Sequence, residues 1–234
     1  MTNWTLWPDS QVPGIPGAAD SQPILLGTRF AVNVDGWVTH LRFWKHFQNT
    51  PYGNGWTGRP MFLWKFLGAG AWTQIASVIS YAEDEVVDGW QNTPLATPVA
   101  LEVGELYTVS CTAPAMVYSA QGAYFTTDYT PGGGLWAPSS DSIGGNGVYH
   151  YLNPGDDPGT LCPGNTFNAT TYFIDVVFTD VDPSAPPVTV DFKSRESGAW
   201  VDRTAVPKVR VDGAWVVKRP KRWDSGTSSW IDLP

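Results

Sequence analysis

The sequence predicts an all-β protein, with a large antiparallel sandwich or barrel followed by a small repetitive β-rich tail. Turn-forming residues are abundant, with 24 Gly and 20 Pro among 234 residues. Runs with the composition of strands follow one another at short intervals, and no window longer than about ten residues keeps a helical period. An apolar content of 42 % is enough to offset the entropy lost on folding.

Seven segments have the composition of strands and are bounded by turn-forming residues. They are Leu25–Val34, Trp37–His46, Arg59–Leu67, Trp72–Ser80, Val86–Thr93, Leu106–Thr112 and Tyr172–Thr179. In the second segment, alternation places Thr39, Leu41 and Phe43 on one face. Asp35-Gly36 between the first two segments predicts a β-hairpin. Seven strands separated by turns favour a sandwich or a barrel.

Proline marks the domain boundaries. Residues 1–22 form an extended N-terminal arm, in which four prolines and two glycines between positions 8 and 23 are expected to exclude a regular element. The sandwich is expected over residues 23–182, and residues 183–187 form a short, stiff Pro-rich linker. Residues 188–234 form the repetitive tail.

The tail carries an internal repeat marked by Trp200, Trp215 and Trp230, which are spaced by 15 residues. Each unit is predicted to be a strand ending in a Gly turn, with Trp opening the next strand. Units this short cannot bury an apolar face alone, so they must stack on each other or on another chain. We therefore expect the tail to be an assembly or attachment module, with the three Trp at its interface.

The charge is divided unevenly between the two parts of the chain. Residues 1–187 contain five Lys and Arg against sixteen Asp and Glu, whereas residues 188–234 contain nine against six. An acidic body is a poor partner for nucleic acid, because phosphate binding depends on Lys and Arg. The N-terminus lacks the features of a signal peptide and no segment is long enough to span a membrane, so neither secretion by the ordinary route nor membrane insertion is expected.

Six collinear segments carry a family resemblance: 26–30, 36–45, 89–91 with 98–101 and 104–107, 122–125, 145–151 and 167–178. They resemble bacterial modules catalogued as a domain of unknown function, which occur in secreted, often polysaccharide-active proteins and in actinobacteriophage tail proteins. The resemblance implies a jelly-roll-like sandwich of the carbohydrate-binding type, with no catalytic residues to carry over. The tail is similar to the Gly-x-Trp-Val repeats that end minor tail proteins of actinobacteriophages.

Aromatic and amide side chains in two long loops are candidates for binding a sugar, because ring faces stack on Trp or Tyr while amides bind hydroxyls. These candidates are Tyr52, Asn54 and Trp56 in the first loop and Tyr129, Trp136 and Asn146 in the second. The alternative is that the rings pin the loops to the sandwich or pack against a neighbouring subunit.

Three carboxylates, Asp156, Asp157 and Asp175, are candidate ligands of a structural Ca²⁺ ion, since this cation prefers several oxygen ligands. The alternative for the loop carboxylates is that they are solvated turn residues. Cys111 and Cys162 have no metal-type spacing, and we expect two buried free thiols, with a disulfide as the alternative. No nucleophile elbow, phosphate loop or zinc pattern is present, so no other cofactor and no enzymatic activity are expected.

These observations and resemblances together predict a structural virion protein of a tailed actinobacteriophage, made in the host cytoplasm. We expect a minor tail or tail-tip subunit that contacts host-envelope carbohydrate through the sandwich. Its expected partners are other tail proteins and further copies of itself, for example in a trimer. The alternatives are a decoration subunit of the virion without a ligand, and a carbohydrate-binding module of a polysaccharide-active protein.

Overall fold

The computed structural model of the chain describes residues 3–46, 58–81, 88–113 and 117–184, together with the backbone of six short strands between residues 190 and 232. The chain divides into two compact units, one over Thr2–Pro183 and one over Ser184–Pro234. The predicted all-β class is confirmed. Helical structure in the described residues is limited to α1 (Ser140–Ile143) and two 3₁₀ turns, Tyr124–Thr126 and Pro158–Thr160.

The strands of the large unit, within the described residues, are β1 (Asn3–Trp4), β2 (Ile15–Ala19), β3 (Ile24–Val32), β4 (Gly36–Lys45), β5 (Arg59–Gly68), β6 (Ala71–Ser80), β7 (Gly89–Leu101), β8 (Tyr107–Ala113), β9 (Val117–Ala120), β10 (Leu135–Trp136), β11 (Val148–Tyr151), β12 (Asn165–Thr166) and β13 (Ile174–Thr179). All seven strands predicted from sequence are present. β7 extends to Leu101, well beyond its predicted end, through Pro94 and Pro98.

Two antiparallel sheets form the sandwich. The smaller sheet has the order β1-β13-β4-β7, and the larger has the order β12-β11-β3-β8-β5-β6 with β10 also paired to β3. The chain changes sheet between β3 and β4, between β4 and β5, between β6 and β7, and between β7 and β8. Most neighbouring strands, apart from β5 with β6 and β11 with β12, are therefore distant in sequence, as in a jelly roll.

The predicted hairpin at Asp35-Gly36 is wrong. β3 pairs with β8 and β11 in the larger sheet, whereas β4 pairs with β7 and β13 in the smaller one. Both edges of each strand are thus occupied, and the turn carries the chain from one sheet to the other. Asp35 uses its Oδ1 atom to accept a hydrogen bond from the Val103 amide at 2.8 Å.

The prediction that Thr39 lies on the same face of the strand as Leu41 and Phe43 is also wrong. The register of β4 with β7 shifts between Val38 and His40, so one extra residue enters the strand there. As a result Val38, and not Thr39, is fully buried on the core side with Leu41 and Phe43.

The N-terminal segment contains a strand where none was expected. β2 pairs with β9 although Pro16 lies within it, and the register shifts between Ile15 and Ala18. A proline has no amide to donate, so an irregular pairing is what lets the strand accommodate it. Earlier in this segment, Leu6 and Trp7 are completely buried.

Apolar side chains are buried on both faces of the larger sheet. The main core lies between the sheets and includes Leu26, Phe30, Leu41, Val109 and Val176. A second, smaller cluster covers the outer face of the larger sheet and consists of Leu25, Phe62, Trp64 and Leu152. Because successive residues of a strand point to opposite faces, β3 contributes Leu26 to the first cluster and Leu25 to the second.

The small unit confirms the predicted repetitive β-hairpin tail. Its hairpins pair β14 (Val190–Glu196) with β15 (Ala199–Ala205), β16 (Lys208–Val211) with β17 (Ala214–Val217), and β18 (Lys221–Asp224) with β19 (Ser229–Asp232). Trp200, Trp215 and Trp230 each occupy the second position of a returning strand. Their register partners are Arg195, Arg210 and Trp223.

Candidate ligand-binding cleft

The sugar-binding residues predicted from sequence do not form one site in the described part of the molecule. Tyr52, Asn54 and Trp56 lie outside the described residues. The other three lie in the segment between β9 and β12, which packs against the sandwich.

Asn146 is a buried structural residue, so its predicted role in binding a ligand is wrong. Its Oδ1 atom accepts hydrogen bonds from the amides of Arg29, at 2.9 Å, and Gly147. Its Nδ2 atom donates to the carbonyls of Arg29 and Pro138, at 2.9 and 2.8 Å. The side chain is thereby fully occupied in joining β3 to the chain before β11.

The conformation and surroundings of the backbone explain why the residue after Asn146 is a glycine. Gly147 has a φ of +67°, and a Cβ atom there would lie 1.4 Å from the Thr170 carbonyl oxygen. Only glycine fits this position, and it allows Asn146 to reach β3.

Tyr129 and Trp136 are both half-buried. The Tyr129 ring stacks on Trp7 with centroids 6.0 Å apart and lies edge-on to Tyr124 at 5.2 Å. Burial, together with Tyr124, raises the pKa of the Tyr129 hydroxyl. Trp136 belongs to β10 and pairs with Ala31 of β3. The contacts of Tyr129 agree with the alternative interpretation, in which aromatic rings hold the loop against the sandwich.

The three predicted Ca²⁺ ligands are not brought together. Asp156 and Asp157 are exposed and accept hydrogen bonds within their own turns, from the amides of Asn153 and Gly159. Asp175 is completely buried on β13. No group of three His, Cys, Asp or Glu side chains in the described ranges is placed to hold a metal ion. The predicted grouping is therefore wrong.

Asp175 instead holds the N-terminal segment. Its Oδ1 accepts from the Leu6 amide at 3.0 Å and its Oδ2 from the Trp7 amide at 3.3 Å. Its register partner Arg42 lies 2.9 Å from Oδ2 and also donates to the Trp7 carbonyl and to Asp9. Burial raises the pKa of Asp175, and the charge of Arg42 with the backbone amides opposes that rise.

Trp7 is the centre of an aromatic cluster that covers the outer face of the smaller sheet. Its ring contacts Trp90, Tyr124, Tyr129 and Phe173, with centroid separations of 5.4 to 6.0 Å. Its Nε1 donates to the Tyr124 hydroxyl at 2.9 Å. The N-terminal segment is therefore an integral layer of the sandwich, and its aromatic residues are packing residues.

An open cleft lies on the opposite side, on the outer face of the larger sheet. We call it the outer-face cleft; its walls include Arg29, Phe66, Trp72, Leu106, Ile143 and Pro163, and its volume is about 420 Å³. This volume is within the range of small-molecule sites. The segment 152–163 covers the neighbouring part of this face through Leu152, Leu161 and Cys162.

Local sequence features position the two aromatic residues of the outer-face cleft. Phe66 and Trp72 are register partners on either side of the β5–β6 turn, where Gly68, Ala69 and Gly70 all have positive φ. Their ring centroids are 5.0 Å apart. Both rings are half-buried, so each presents part of its surface to the cleft.

Arg29 is the charged group of the outer-face cleft. Its side chain extends from a strand in which all nine residues are buried, and its guanidinium carbon lies 5.3 Å from the centre of the Trp72 ring. Nη1 donates to the Gly145 carbonyl at 2.8 Å. Burial lowers the pKa of Arg29. The sequence pattern that points to this site is an arginine inside a strand of otherwise apolar and small residues, and the loop candidates did not include it.

Cys162 borders the same cleft. Burial raises the pKa of its thiol to about 12, against the influence of Thr108 and Arg29. Cys111 faces the main core, whereas Cys162 packs with the outer cluster. Neither cysteine is in a disulfide, which agrees with the prediction of thiols; Cys111 is buried as expected, whereas Cys162 is only half-buried.

Comparison with known protein families assigns most of the chain to one family. The family model described as a domain of unknown function, DUF4082, matches residues 10–174. The chain belongs to this family. No curated protein matches the chain. The matched region contains the outer-face cleft and ends just before Asp175, while the segment held by Asp175 precedes it. No helix among the described residues has the length and apolar character needed to cross a bilayer.

Proposed function

We propose that the protein is a non-enzymatic binding subunit whose sandwich attaches to cell-envelope carbohydrate through the outer-face cleft. The observation that carries this proposal is the pair of half-buried rings, Trp72 and Phe66, in the wall of an open cleft of about 420 Å³. The C–H face of a sugar ring packs favourably against such a surface, and a cleft of this volume accommodates one or two sugar rings.

We further propose that the protein belongs to the virion of a tailed actinobacteriophage, as a minor tail or tail-tip subunit. The resemblance of the tail to phage repeats supports this, as do the three successive hairpins with Trp at equivalent positions. Trp200, Trp215 and Trp230 then form the contact with other tail proteins or with further copies of the chain. Several copies on one particle would raise a weak single-site affinity by avidity.

Binding of the full chain to cell-wall polysaccharide from actinobacteria tests the first proposal. We expect Trp72→Ala to weaken binding by about tenfold or more, because loss of a stacking surface costs on the order of 1.4 kcal/mol. Phe167→Ala is the matched control, since Phe167 is an exposed aromatic residue that does not line the cleft. Equal binding by both variants would contradict the proposal, as would release of reducing sugar during the assay.

Gold labelling of virions that encode the chain, viewed by electron microscopy, tests its location. Label at the tail tip or fibres is the expected result. Label over the capsid would instead favour a decoration subunit. That second candidate has an observation of its own, because none of the eight Trp residues between positions 3 and 136 that the structure describes is exposed.

The assembly role of the tail is tested with residues 188–234 made alone. Isolated hairpins are marginally stable in water, so we expect this fragment to remain unfolded as a monomer and to gain structure only on association. Sedimentation and amide chemical-shift dispersion measure both properties. A monomeric fragment with a cooperative unfolding transition would remove the physical reason for assigning assembly to the tail.

A further inference from the structure

We propose that the outer-face cleft binds an acidic sugar residue, with its carboxylate paired to Arg29. This inference rests on the proposed function, because it names the class of carbohydrate that the same cleft takes. It follows from the burial and contacts of Arg29, from the residues that line the cleft around it, and from a comparison with Arg42, another buried arginine of the sandwich.

Among the residues that the structure describes, Arg29 is a buried charge without a counter-ion. Only 9 % of the residue is exposed, and its Nε atom is buried without a hydrogen-bond partner. No acidic side chain among the described residues forms an ion pair with it; the groups found near it are the Gly145 carbonyl, the Trp72 ring and the Cys162 thiol. A buried charge without a partner is costly, and an anion in the cleft would offset that cost.

Arg42 shows how the same fold treats an arginine that has a purely structural role. It also stacks on a tryptophan, Trp90, at 4.1 Å, but it has two carboxylate partners, Asp9 and Asp175, within 2.9 Å. The two arginines therefore share their aromatic contact and their burial. They differ in the source of the counter-ion. The chain itself supplies carboxylates to Arg42, whereas a ligand supplies the carboxylate that pairs with Arg29.

The walls of the cleft favour a monoanion carried on a ring. A guanidinium binds a carboxylate through parallel N–H···O bonds, and Arg29 lines the cleft with Nη1 as its one donor already bonded to a carbonyl among the described groups. The apolar side chains of Leu106, Ile143 and Pro163 strengthen the attraction by excluding water. Among its described lining residues the cleft holds one cationic side chain, which matches a single carboxylate better than a doubly charged phosphate ester.

Calorimetric titration of the full chain with short oligomers of glucuronic acid and of glucose tests the inference. We expect the acidic oligomer to bind at least about tenfold more tightly than the neutral one, as charge-assisted hydrogen bonds are worth about 1.5–3 kcal/mol. Arg29→Lys should remove most of this preference, because an ammonium group cannot form the bidentate fork. Arg59→Lys is the matched control, as a buried arginine that does not line the cleft.

Ile143→Glu provides a variant that does not depend on removing a buried residue. It places a carboxylate in the cleft wall, where it can pair with Arg29, so we expect it to abolish binding of the acidic oligomer while raising the melting temperature. Retention of acidic binding by both Arg29→Lys and Ile143→Glu would overturn the inference. So would competition by inorganic phosphate as strong as that by glucuronate.

The two proposals fail in distinguishable ways. Equal binding of both oligomers, lost in Trp72→Ala and kept in Arg29→Lys, would overturn the carboxylate inference and leave the proposed function intact. Binding of neither oligomer by the full chain, together with no binding to whole cell-wall polysaccharide, would overturn both.

Discussion

At the scale of single residues, three buried polar side chains join segments that are far apart in the sequence. Asn146 connects the chain before β11 to β3, and the pair of Arg42 and Asp175 fixes the N-terminal segment to the smaller sheet. Each of them binds backbone groups that would otherwise be buried without partners. Replacement should therefore cost stability mainly through the groups left unpaired.

Asn146→Ala should lower the free energy of unfolding by at least about 2 kcal/mol, because it leaves buried amides and carbonyls of β3 and its neighbours unpaired. Urea unfolding followed by circular dichroism measures the loss. Asn153→Ala is the control, since Asn153 is exposed and its change should stay within about 0.5 kcal/mol. If Asn146→Ala were as stable as the wild type, its assignment as a structural residue would be wrong.

Asp175→Asn should destabilise the large unit by about 3–5 kcal/mol, since it leaves the buried charge of Arg42 without its buried partner. Asp9→Asn removes the other carboxylate that pairs with Arg42, but the Asp9 side chain is 84 % exposed. An exposed ion pair contributes about 0–1 kcal/mol, so this control should be nearly neutral. Equal effects of the two substitutions in denaturant unfolding would contradict the assignment.

At the scale of elements, the N-terminal segment is the part whose role changes most between sequence and structure. Its composition predicts an arm, yet β1 adds to the smaller sheet beside β13, and Trp7 fills the centre of an aromatic cluster. Each of its anchoring partners lies more than 30 positions away along the chain. Composition and period describe local preference, and they carry no information on such distant partners.

Trp7→Ala should destabilise the large unit by about 3–5 kcal/mol, because it opens a cavity among five aromatic neighbours. Trp7→Phe retains most of the ring and loses the hydrogen bond to Tyr124, so its cost should be clearly smaller. Near-ultraviolet circular dichroism during urea unfolding reports directly on this cluster. A segment that acts as a free arm would give wild-type stability for both variants.

At the scale of the whole molecule, the burial of phenols and a thiol governs the response to alkaline pH. Burial raises the pKa of Tyr107, Tyr118 and Tyr172, as it does for Tyr129 and Cys162. The hydrogen bond to Asp20 raises the pKa of Tyr151 to about 12. In the unfolded chain these groups lose protons near their ordinary values of 9.0 for Cys and 10.0 for Tyr.

Stability should therefore be steady up to about pH 9 and then fall as the pH rises towards 12, because the unfolded state binds fewer protons than the folded state in this window. Melting temperature against pH measures the fall, and tyrosinate absorbance should appear together with unfolding. Cys162→Ala removes one of the responsible groups and should reduce the slope just above pH 9. Complete tyrosine titration near pH 10 with the fold retained would contradict this account.

The sequence by itself determined the all-β class, the seven long strands and the repetitive hairpin tail. These follow from alternation, turn residues and a repeat spacing of 15, which are local properties of the chain. It also predicted that Cys111 and Cys162 are thiols and not a disulfide.

Only the tertiary structure determined which strands pair and that the Asp35-Gly36 turn joins the two sheets. It also determined the buried positions of Asp175 and Asn146. It also decided the position of the outer-face cleft, since Arg29, Phe66 and Ile143 come from three distant segments. Strand pairing and burial depend on contacts between residues remote in sequence, and a pattern read along one chain does not specify which remote partners meet. The sequence therefore predicted the strands, and their packing created the candidate site.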